Sequence, residues 1–247
     1  MLNKKLVSTA ISLAVIASPL LAEDDFDASD LTRANTTAIV SVSNQGDVKL
    51  QGSLSYTFTN GQMAMTSLEG TMDAEGDYQD SRLQYFHVFN LDSAVTPRIA
   101  ASLDIINNQQ FTTAALGSVA LFRTPLDSLT FFARGAVLAG EYDKNFAKNI
   151  GLNDRSITGA MAAGYAVLTT GSDGTFLAAF PEYTYIKGDL DISTVKTTLM
   201  AATPVSADGK RWGQLKLENT SGDMQMGSRT IEMPSETVAW FNYKVFF

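Results

Sequence analysis

Apolar and polar residues alternate along much of this chain, most regularly between residues 48 and 58. A period of two places successive side chains on opposite faces of a β-strand. The segment is therefore predicted to form a strand with one apolar face. The two faces carry Val48, Leu50, Gly52, Leu54, Tyr56 and Phe58 against Lys49, Gln51, Ser53, Ser55 and Thr57.

The same alternation recurs along the chain, and Gly, Asp, Asn and Pro gather between the alternating segments, as they do in turns. It predicts twelve strands, with ten or fourteen as alternative counts. Connections are predicted to be short at one end and mostly longer at the other, where the longest are 142–156 and 220–235. The predicted strands are 36–44, 48–59, 62–73, 82–92, 98–106, 111–123, 129–141, 157–170, 175–187, 194–205, 211–219 and 236–247.

An even number of amphipathic strands, with short turns at one end, is typical of a transmembrane β-barrel. Lipid offers no hydrogen-bond partner to a backbone N–H or C=O, so a sheet that crosses a membrane must close on itself. The sequence therefore predicts an all-β, closed antiparallel barrel. The alternative is a soluble β-sandwich in the periplasm.

The first residues carry an export signal. Lys4 and Lys5 precede an apolar run at 6–17, and cleavage is expected after Ala22. The chain then divides into a signal peptide at 1–22, an acidic tail at 23–35 that is expected in the periplasm, and the barrel at 36–247. An exported chain without cysteine suits a Gram-negative envelope.

The carboxyl terminus alternates up to a terminal aromatic residue, with Phe241, Tyr243, Val245 and Phe247 on one face. This ending resembles the C-terminal strand signal of Gram-negative outer-membrane β-barrel proteins. The resemblance implies recognition by the barrel-assembly machinery and contact with the lipid bilayer and lipopolysaccharide. By size and strand count the chain is similar to small twelve-stranded porins for acidic oligosaccharides, or to an autotransporter barrel without a passenger.

Two positions in the strands disturb the pattern. Pro181 lies in the middle of the ninth strand, where a missing N–H suggests a β-bulge. With a bulge, Phe176, Ala178 and Phe180 would face lipid. His87 shares a face with apolar residues, so either it contacts lipid or its strand slips in register.

Composition removes several classes of protein. A net charge of −8 and an isoelectric point near 4.6 argue against nucleic-acid binding. The absence of cysteine excludes disulfides and thiolate metal sites, and a single histidine, His87, leaves no basis for most histidine-based metal sites. We therefore expect no cofactor and no metal. No sequence motif of a lipase or an acyltransferase accompanies His87, so an enzyme is not expected.

The polar faces of the predicted strands give the barrel a basic interior. They carry six cations and three anions: Lys49, Arg98, Arg134, Lys196, Lys216 and Lys244, with Asp104, Glu182 and Glu218. A lumen lined by positive charge favours anions, and Arg98 and Arg134 are expected to contribute most.

The sequence thus predicts a porin-like, monomeric outer-membrane channel for small and preferentially anionic solutes. In the alternative, lumen salt bridges fill the barrel, which is then a non-conducting structural or surface-interaction protein. A lipid-modifying enzyme is the third hypothesis.

Overall fold

Twelve antiparallel strands form one sheet that closes into a barrel. The computed structural model describes residues 33–247, so the predicted signal peptide and most of the acidic tail lie outside the described residues. The predicted fold and strand count are confirmed. The strands are β1 (Thr37–Ser43), β2 (Val48–Thr57), β3 (Met63–Met72), β4 (Tyr78–Asn90), β5 (Arg98–Asn108), β6 (Phe111–Arg123), β7 (Leu129–Tyr142), β8 (Ser156–Thr169), β9 (Phe176–Lys187), β10 (Asp191–Pro204), β11 (Arg211–Met226) and β12 (Arg229–Phe246).

The barrel closes where the last strand meets the first. β1 pairs with β12 from Thr37 opposite Phe246 to Ser43 opposite Trp240. Every other strand pairs with its two neighbours in sequence, so each strand is flanked on both sides. Closure leaves the sheet without an open edge, which is the condition for a sheet that is surrounded by lipid.

The outer surface of the barrel is apolar. Leu54, Leu116 and Val137 are each more than three-fifths exposed. Outward aromatic residues form a belt near one end of the strands, including Tyr56, Phe58, Tyr85, Phe89 and Phe131. Transmembrane barrels place aromatic belts of this kind at the level of the lipid headgroups.

The two ends of the barrel differ in what they carry. The terminal end holds the start of β1, the end of β12 and the connections 58–62, 91–97, 124–128, 170–175 and 205–210. The helix end holds the connections 44–47, 73–77, 109–110, 143–155, 188–190 and 227–228. The short helix α1 (Lys144–Ile150) lies in the longest of these.

The short connections predicted at the terminal end and the long connection at 142–156 agree with the structure, whereas the loop predicted at 220–235 does not. Residues 220–235 do not form a loop, because β11 and β12 continue to a tight turn at Gly227, whose φ is 59°. A register shift between Thr220 and Gly222 interrupts this hairpin without ending it. Except at 143–155, the connections at the helix end are tight. The two ends of the barrel differ instead in how far individual strands extend beyond their neighbours.

Polar groups within the connection 143–155 stabilise its short helix. Asp143 caps α1, and its carboxylate accepts hydrogen bonds from the backbone N–H groups of Asn145 and Phe146. These bonds, that of Phe146 first, lower the pKa of Asp143 below its usual value. Gly151 ends the helix with a φ of 75°, in the left-handed region.

The bulge predicted at Pro181 is absent. Pro181 lies opposite Thr197, and β9 keeps one register with β10 throughout. On the β8 side the register is also unchanged from Ala163 opposite Glu182 to Ala166 opposite Ala179, with only the intervening pairs missing. The ladder therefore loses local pairing at the proline without inserting a residue.

Because no residue is inserted, the predicted lipid contact of three β9 side chains is also wrong. Phe176, Ala178 and Phe180 share the inward face with Glu182, and Phe176 is only 1% exposed. Leu177 and Tyr183 face outward instead and are each about half exposed.

His87 faces outward without any slip of its strand. β3 and β4 stay in register here, with Ala64 opposite His87. The imidazole Nε2 lies 2.9 Å from Gln62 Oε1, and its ring centroid is 4.6 Å from that of Phe89. His87 therefore belongs to the aromatic belt at the terminal end.

The residues of the predicted assembly signal share the outward face of β12. Phe241 and Tyr243 are exposed, whereas Asn242 between them is buried inside the barrel. At the chain end, the Phe247 N–H donates a hydrogen bond to the Thr36 carbonyl at 3.1 Å. The backbone of the last residue thus links the end of β12 to the segment before β1.

We expect Phe241→Asp to reduce assembly in the membrane, because a carboxylate on the lipid-facing side of β12 would have to be buried in hydrocarbon. The measurement is the fraction of chain that migrates faster unboiled than boiled on a denaturing gel. Asn242→Asp is the matched control, since it adds the same charge to the same strand on the inner face. Equal yields of the two variants would contradict the assignment of β12 faces.

Candidate functional site

The inside of the barrel is the candidate site. The pairing register places all of the charged residues predicted for the lumen on the inward face; for example, Lys49 lies opposite the buried Ser41, and Lys196 lies opposite Glu182.

An apolar cluster occupies the lumen at the terminal end. Its larger members come from the strand residues nearest that end, so side chains from around the barrel meet in its centre. We call these residues the terminal cluster: Ala34, Met63, Val88, Ala100, Val119, Leu121, Phe132, Val167, Phe176, Ala178, Ala202, Trp212 and Phe246.

A second apolar cluster lies at the helix end. Phe146, Ile150 and Leu152 of the connection 143–155 pack against it, so this connection folds over the wall formed by β7 to β10. We call these residues the helix-end cluster: Tyr142, Ala147, Ile157, Ile186, Leu190 and Ile192.

Charged residues lie between the two clusters along several strands. On β7, Arg134 falls between Phe132 and Tyr142, and on β9, Glu182 falls between Ala178 and Ile186. The lumen is thus layered, with apolar side chains towards both ends and charge in the middle. A charged layer between low-dielectric layers exerts a stronger field than the same charges would in water.

Asp104 is the centre of the most buried group of charges. Its side chain is 1% exposed and accepts hydrogen bonds from Arg134 Nη2 at 2.8 Å and Arg82 Nε at 2.8 Å. Gln84 also donates to the same carboxylate. The three partners come from β4 and β7, so this carboxylate links strands on either side of β5. Asp104 is shared by Arg82 and Arg134, so this group of three charges keeps one net positive charge.

Trp240 lies between two lysines on the opposite part of the wall. The Lys49 and Lys216 ammonium nitrogens are 5.3 Å and 5.7 Å from the centre of its ring. Such distances allow a cation–π attraction. Lys216 also pairs with Glu218 at 3.0 Å, whereas no carboxylate within residues 33–247 lies within 4 Å of Lys49. We call Lys49, Lys216 and Trp240 the lysine–tryptophan group.

The remaining predicted residues lie apart from these two groups. Lys196 approaches Glu182 at 3.9 Å, with both side chains partly exposed. The Lys244 ammonium nitrogen lies 4.4 Å from the centre of the Phe246 ring, near the terminal end. Arg98 begins β5 and lies opposite Asn90, at the terminal mouth of the barrel.

Among the charged lumen residues that the sequence analysis did not identify are Arg82 and Glu69, which lie opposite each other on β4 and β3. Alternation could have found Arg82, because Leu83 and Tyr85 beside it face outward. Glu69 is harder to place, since β3 carries apolar residues such as Met63 on its inner face and Leu68 on its outer face. Two methionines that face inward hide the period of two in this strand.

Acidic residues also face inward at the rim of the helix end. Asp80 lies opposite Thr71, whose hydroxyl donates to it at 3.0 Å, and Glu236 lies opposite Thr220. Positive charge therefore exceeds negative charge deeper in the barrel, in the Arg82–Asp104–Arg134 group as well as around the lysine–tryptophan group and Lys244.

A cavity of about 150 Å³ remains inside the barrel next to the terminal cluster. Arg33, Phe86, Arg134 and Tyr165 are among the residues that line it. Its position at the boundary of the apolar and charged layers gives it both a polar and an apolar wall.

Metal sites and membrane-spanning helices were two further features to consider in the described part of the chain. Residues 33–247 contain no group of three or more His, Cys, Asp or Glu side chains that could hold a metal ion. Among these same residues, no helix is long and apolar enough to cross a membrane.

The fold is similar to that of solved outer-membrane channels. The NanC porin aligns with a TM-score of 0.62 at 10% identity, over 86% of this chain and 99% of that one. The COG4313 outer membrane channel from Pseudomonas putida F1 gives 0.62 at 12%, over 90% and 99%. The KdgM porin gives 0.52 at 12%, over 87% and 99%. At these identities the likeness concerns the fold.

No protein-family model matches the chain, and no curated protein matches it. The lumen residues of this chain are therefore the basis for assigning its chemistry.

We expect Asp104→Asn to lower the free energy of unfolding by about 3–5 kcal/mol, because removing one partner of a buried ion pair leaves Arg134 uncompensated. The measurement is the urea midpoint of the barrel in lipid vesicles. Glu182→Gln is the matched control. Its pair with Lys196 is longer and more exposed, so its loss should cost less than about 1 kcal/mol. Equal midpoints for the two variants would contradict the central role of Asp104.

Proposed function

We propose that this barrel is an outer-membrane channel for small solutes and that it prefers anions. The observation that carries the proposal is an inward-facing basic layer in a closed twelve-stranded barrel. The fold likeness to three outer-membrane channels supports the same conclusion. In this proposal the terminal end faces the periplasm and the helix end faces the cell surface.

The anion preference rests on the lumen cations that have no carboxylate within ion-pair distance. Lys49 and Lys244 contact aromatic rings, and neither ammonium has a carboxylate within 4 Å among the described residues. Arg134, by contrast, is paired with the buried Asp104. We therefore assign the selectivity chiefly to Lys49 and Lys244 rather than to Arg134, with Arg98 acting at the terminal mouth.

An acidic oligosaccharide is one class of solute that suits such a lumen. A KdgM porin structure with a TM-score of 0.53 to this chain holds a disordered oligogalacturonate. In this chain, the ammonium groups beside Trp240 could receive a carboxylate of such a solute. The lysine–tryptophan group is the place where we propose that this contact occurs.

A non-conducting barrel is the second candidate, and the terminal cluster favours it. Phe132, Phe176 and Trp212 are each at most 3% exposed, so the lumen is narrow at the terminal end. Such a barrel would act in envelope structure or surface interaction, with lipopolysaccharide as its outer neighbour. Measured conductance separates the two candidates directly.

The outward face of β12 and the closure of the barrel also support a proposal about membrane assembly and oligomeric state. We infer that the exposed alternation of Phe241, Tyr243, Val245 and Phe247 is read by the barrel-assembly machinery. A barrel whose strands all find partners within one chain can function as a monomer. We propose no catalytic role for it.

We expect the double variant Lys49→Gln and Lys244→Gln to lose most of the anion preference, since it removes two unneutralised charges from the lumen. The measurement is the reversal potential of single channels across a potassium chloride gradient. The preference of the unaltered protein should weaken as salt rises, because the screening length falls to about 8 Å at 0.15 M.

Lys187→Gln is the control for this variant, because Lys187 is exposed on the outer face at the end of β9. It should leave the reversal potential unchanged. A cation preference in the unaltered protein would overturn the anion assignment. No conductance from purified, correctly folded barrel would instead favour the structural candidate.

A further inference from the structure

The cavity beside the terminal cluster lies against a row of paired residues that crosses four strands. Val88 lies opposite Ala100, Ala100 lies opposite Val119, and Val119 lies opposite Arg134. All four residues line the cavity. The row passes from apolar side chains to a guanidinium, so the cavity has an apolar side and a cationic side.

Small residues on β5 and β6 leave this space open. Their inward positions around the cavity carry Ala100, Ser102, Ala115 and Gly117, and Ser102 lies opposite Gly117. The resulting volume of about 150 Å³ matches that of an apolar protein cavity that holds one benzene molecule. The cavity is therefore large enough for one aromatic ring.

Three aromatic side chains border the cavity. They are Phe86, Phe132 and Tyr165, and Phe132 lies opposite Tyr165 in the pairing of β7 with β8. Aromatic rings pack favourably edge to face or offset against another ring. A ligand with a ring or a branched alkyl group therefore suits this wall.

The cationic side of the cavity has an unused hydrogen-bond donor. The Arg134 side chain is only 7% exposed, and its Nη2 donates to Asp104, whereas its Nε has no hydrogen-bond partner among the described residues. The group of Arg82, Asp104 and Arg134 keeps one net positive charge. Of the described residues that line the cavity, none is acidic. A carboxylate is the acceptor that best suits a guanidinium donor.

We propose that this cavity binds a small monocarboxylate with an aromatic or branched aliphatic group. The carboxylate accepts a hydrogen bond from Arg134 Nε, and the apolar group packs between Phe86 and Phe132. A sugar acid fits poorly, because its hydroxyl groups would be buried against apolar walls without partners. The site therefore differs from the lysine–tryptophan group in the class of anion it takes. It requires a folded barrel but not a conducting one.

Binding is tested by fluorine NMR with meta-fluorobenzoate and the purified, folded barrel in detergent micelles, with micelles alone as the blank. The fluorine signal should broaden or shift in a saturable way. The alcohol meta-fluorobenzyl alcohol has the same ring without the charge and should bind about tenfold or more weakly, because it loses a hydrogen bond between two charged groups. Trifluoroacetate has the carboxylate without the ring and should also bind much more weakly. Equal affinity for the three compounds, or no saturable binding of the benzoate, would overturn the proposal.

The location is tested by filling the cavity. Val119→Phe places a ring in the space and should abolish saturable binding of meta-fluorobenzoate. Val137→Phe is the matched control, since it adds the same ring to the outer face of the barrel, where Val137 is 65% exposed. Ala100→Val is a smaller change in the same cavity and should weaken binding several-fold, so the test stands even if Val119→Phe does not fold. Unchanged affinity in the folded cavity variants would overturn the location.

The role of the guanidinium is tested by Arg134→Lys. This variant keeps a positive charge beside Asp104 but lacks the Nε donor, so it should bind meta-fluorobenzoate several-fold more weakly. Lys49→Gln is the control, because it removes a lumen cation from the lysine–tryptophan group and should leave the affinity unchanged. Loss of binding in Lys49→Gln but not in Arg134→Lys would overturn the proposal by placing the ligand at the lysine–tryptophan group.

Single-channel recording of the same preparation separates this site from the proposed channel function. Specific binding of meta-fluorobenzoate by a barrel without conductance would uphold the site and contradict the channel. Conductance in a barrel that does not bind the compound would overturn the site and leave the channel in place.

Discussion

The requirement that every backbone hydrogen-bonding group be paired controls this molecule. In a sheet surrounded by lipid no water completes an open edge, so the strands must close into a ring. Here closure depends on the pairing of β1 with β12, which joins the two ends of the described chain. The alternation of side chains follows from the same pairing, because a closed pleated sheet has one face towards lipid and one towards the lumen.

Closure also determines what the lumen can contain. Twelve strands enclose a modest interior, and inward side chains from opposite strands meet. Apolar residues fill this interior near the terminal end, and charged residues gather in the middle layer. The buried Asp104 joins arginines from β4 and β7, whereas Lys49 and Lys244 rest on aromatic rings. Charges that are closely paired with a carboxylate and charges that lie on aromatic rings therefore share the inner surface of the barrel.

The terminal cluster has a different role in each of the two candidate functions, the channel and the non-conducting barrel. In a channel it is a narrow apolar passage that the basic layer supplies with anions. In a structural barrel it is a core. Ala34, which precedes β1, belongs to this cluster in either case.

The sequence by itself determined the barrel, the number of strands and the inward face of the predicted charged residues, because a period of two and the cost of unpaired backbone in lipid are both local rules. It did not determine the path of β9 at Pro181 or the extension of β11 and β12, because pairing with neighbouring strands maintains a strand through unfavourable residues. It did not place Glu69 on the inner face, since the inward residues Met63 and Met65 obscure the alternation in β3. The contacts of Asp104 with Arg82 and Arg134, and of Trp240 with Lys49 and Lys216, were decided only by the tertiary structure. Strand register and barrel closure bring together residues far apart in the sequence, and no local pattern encodes which of them meet.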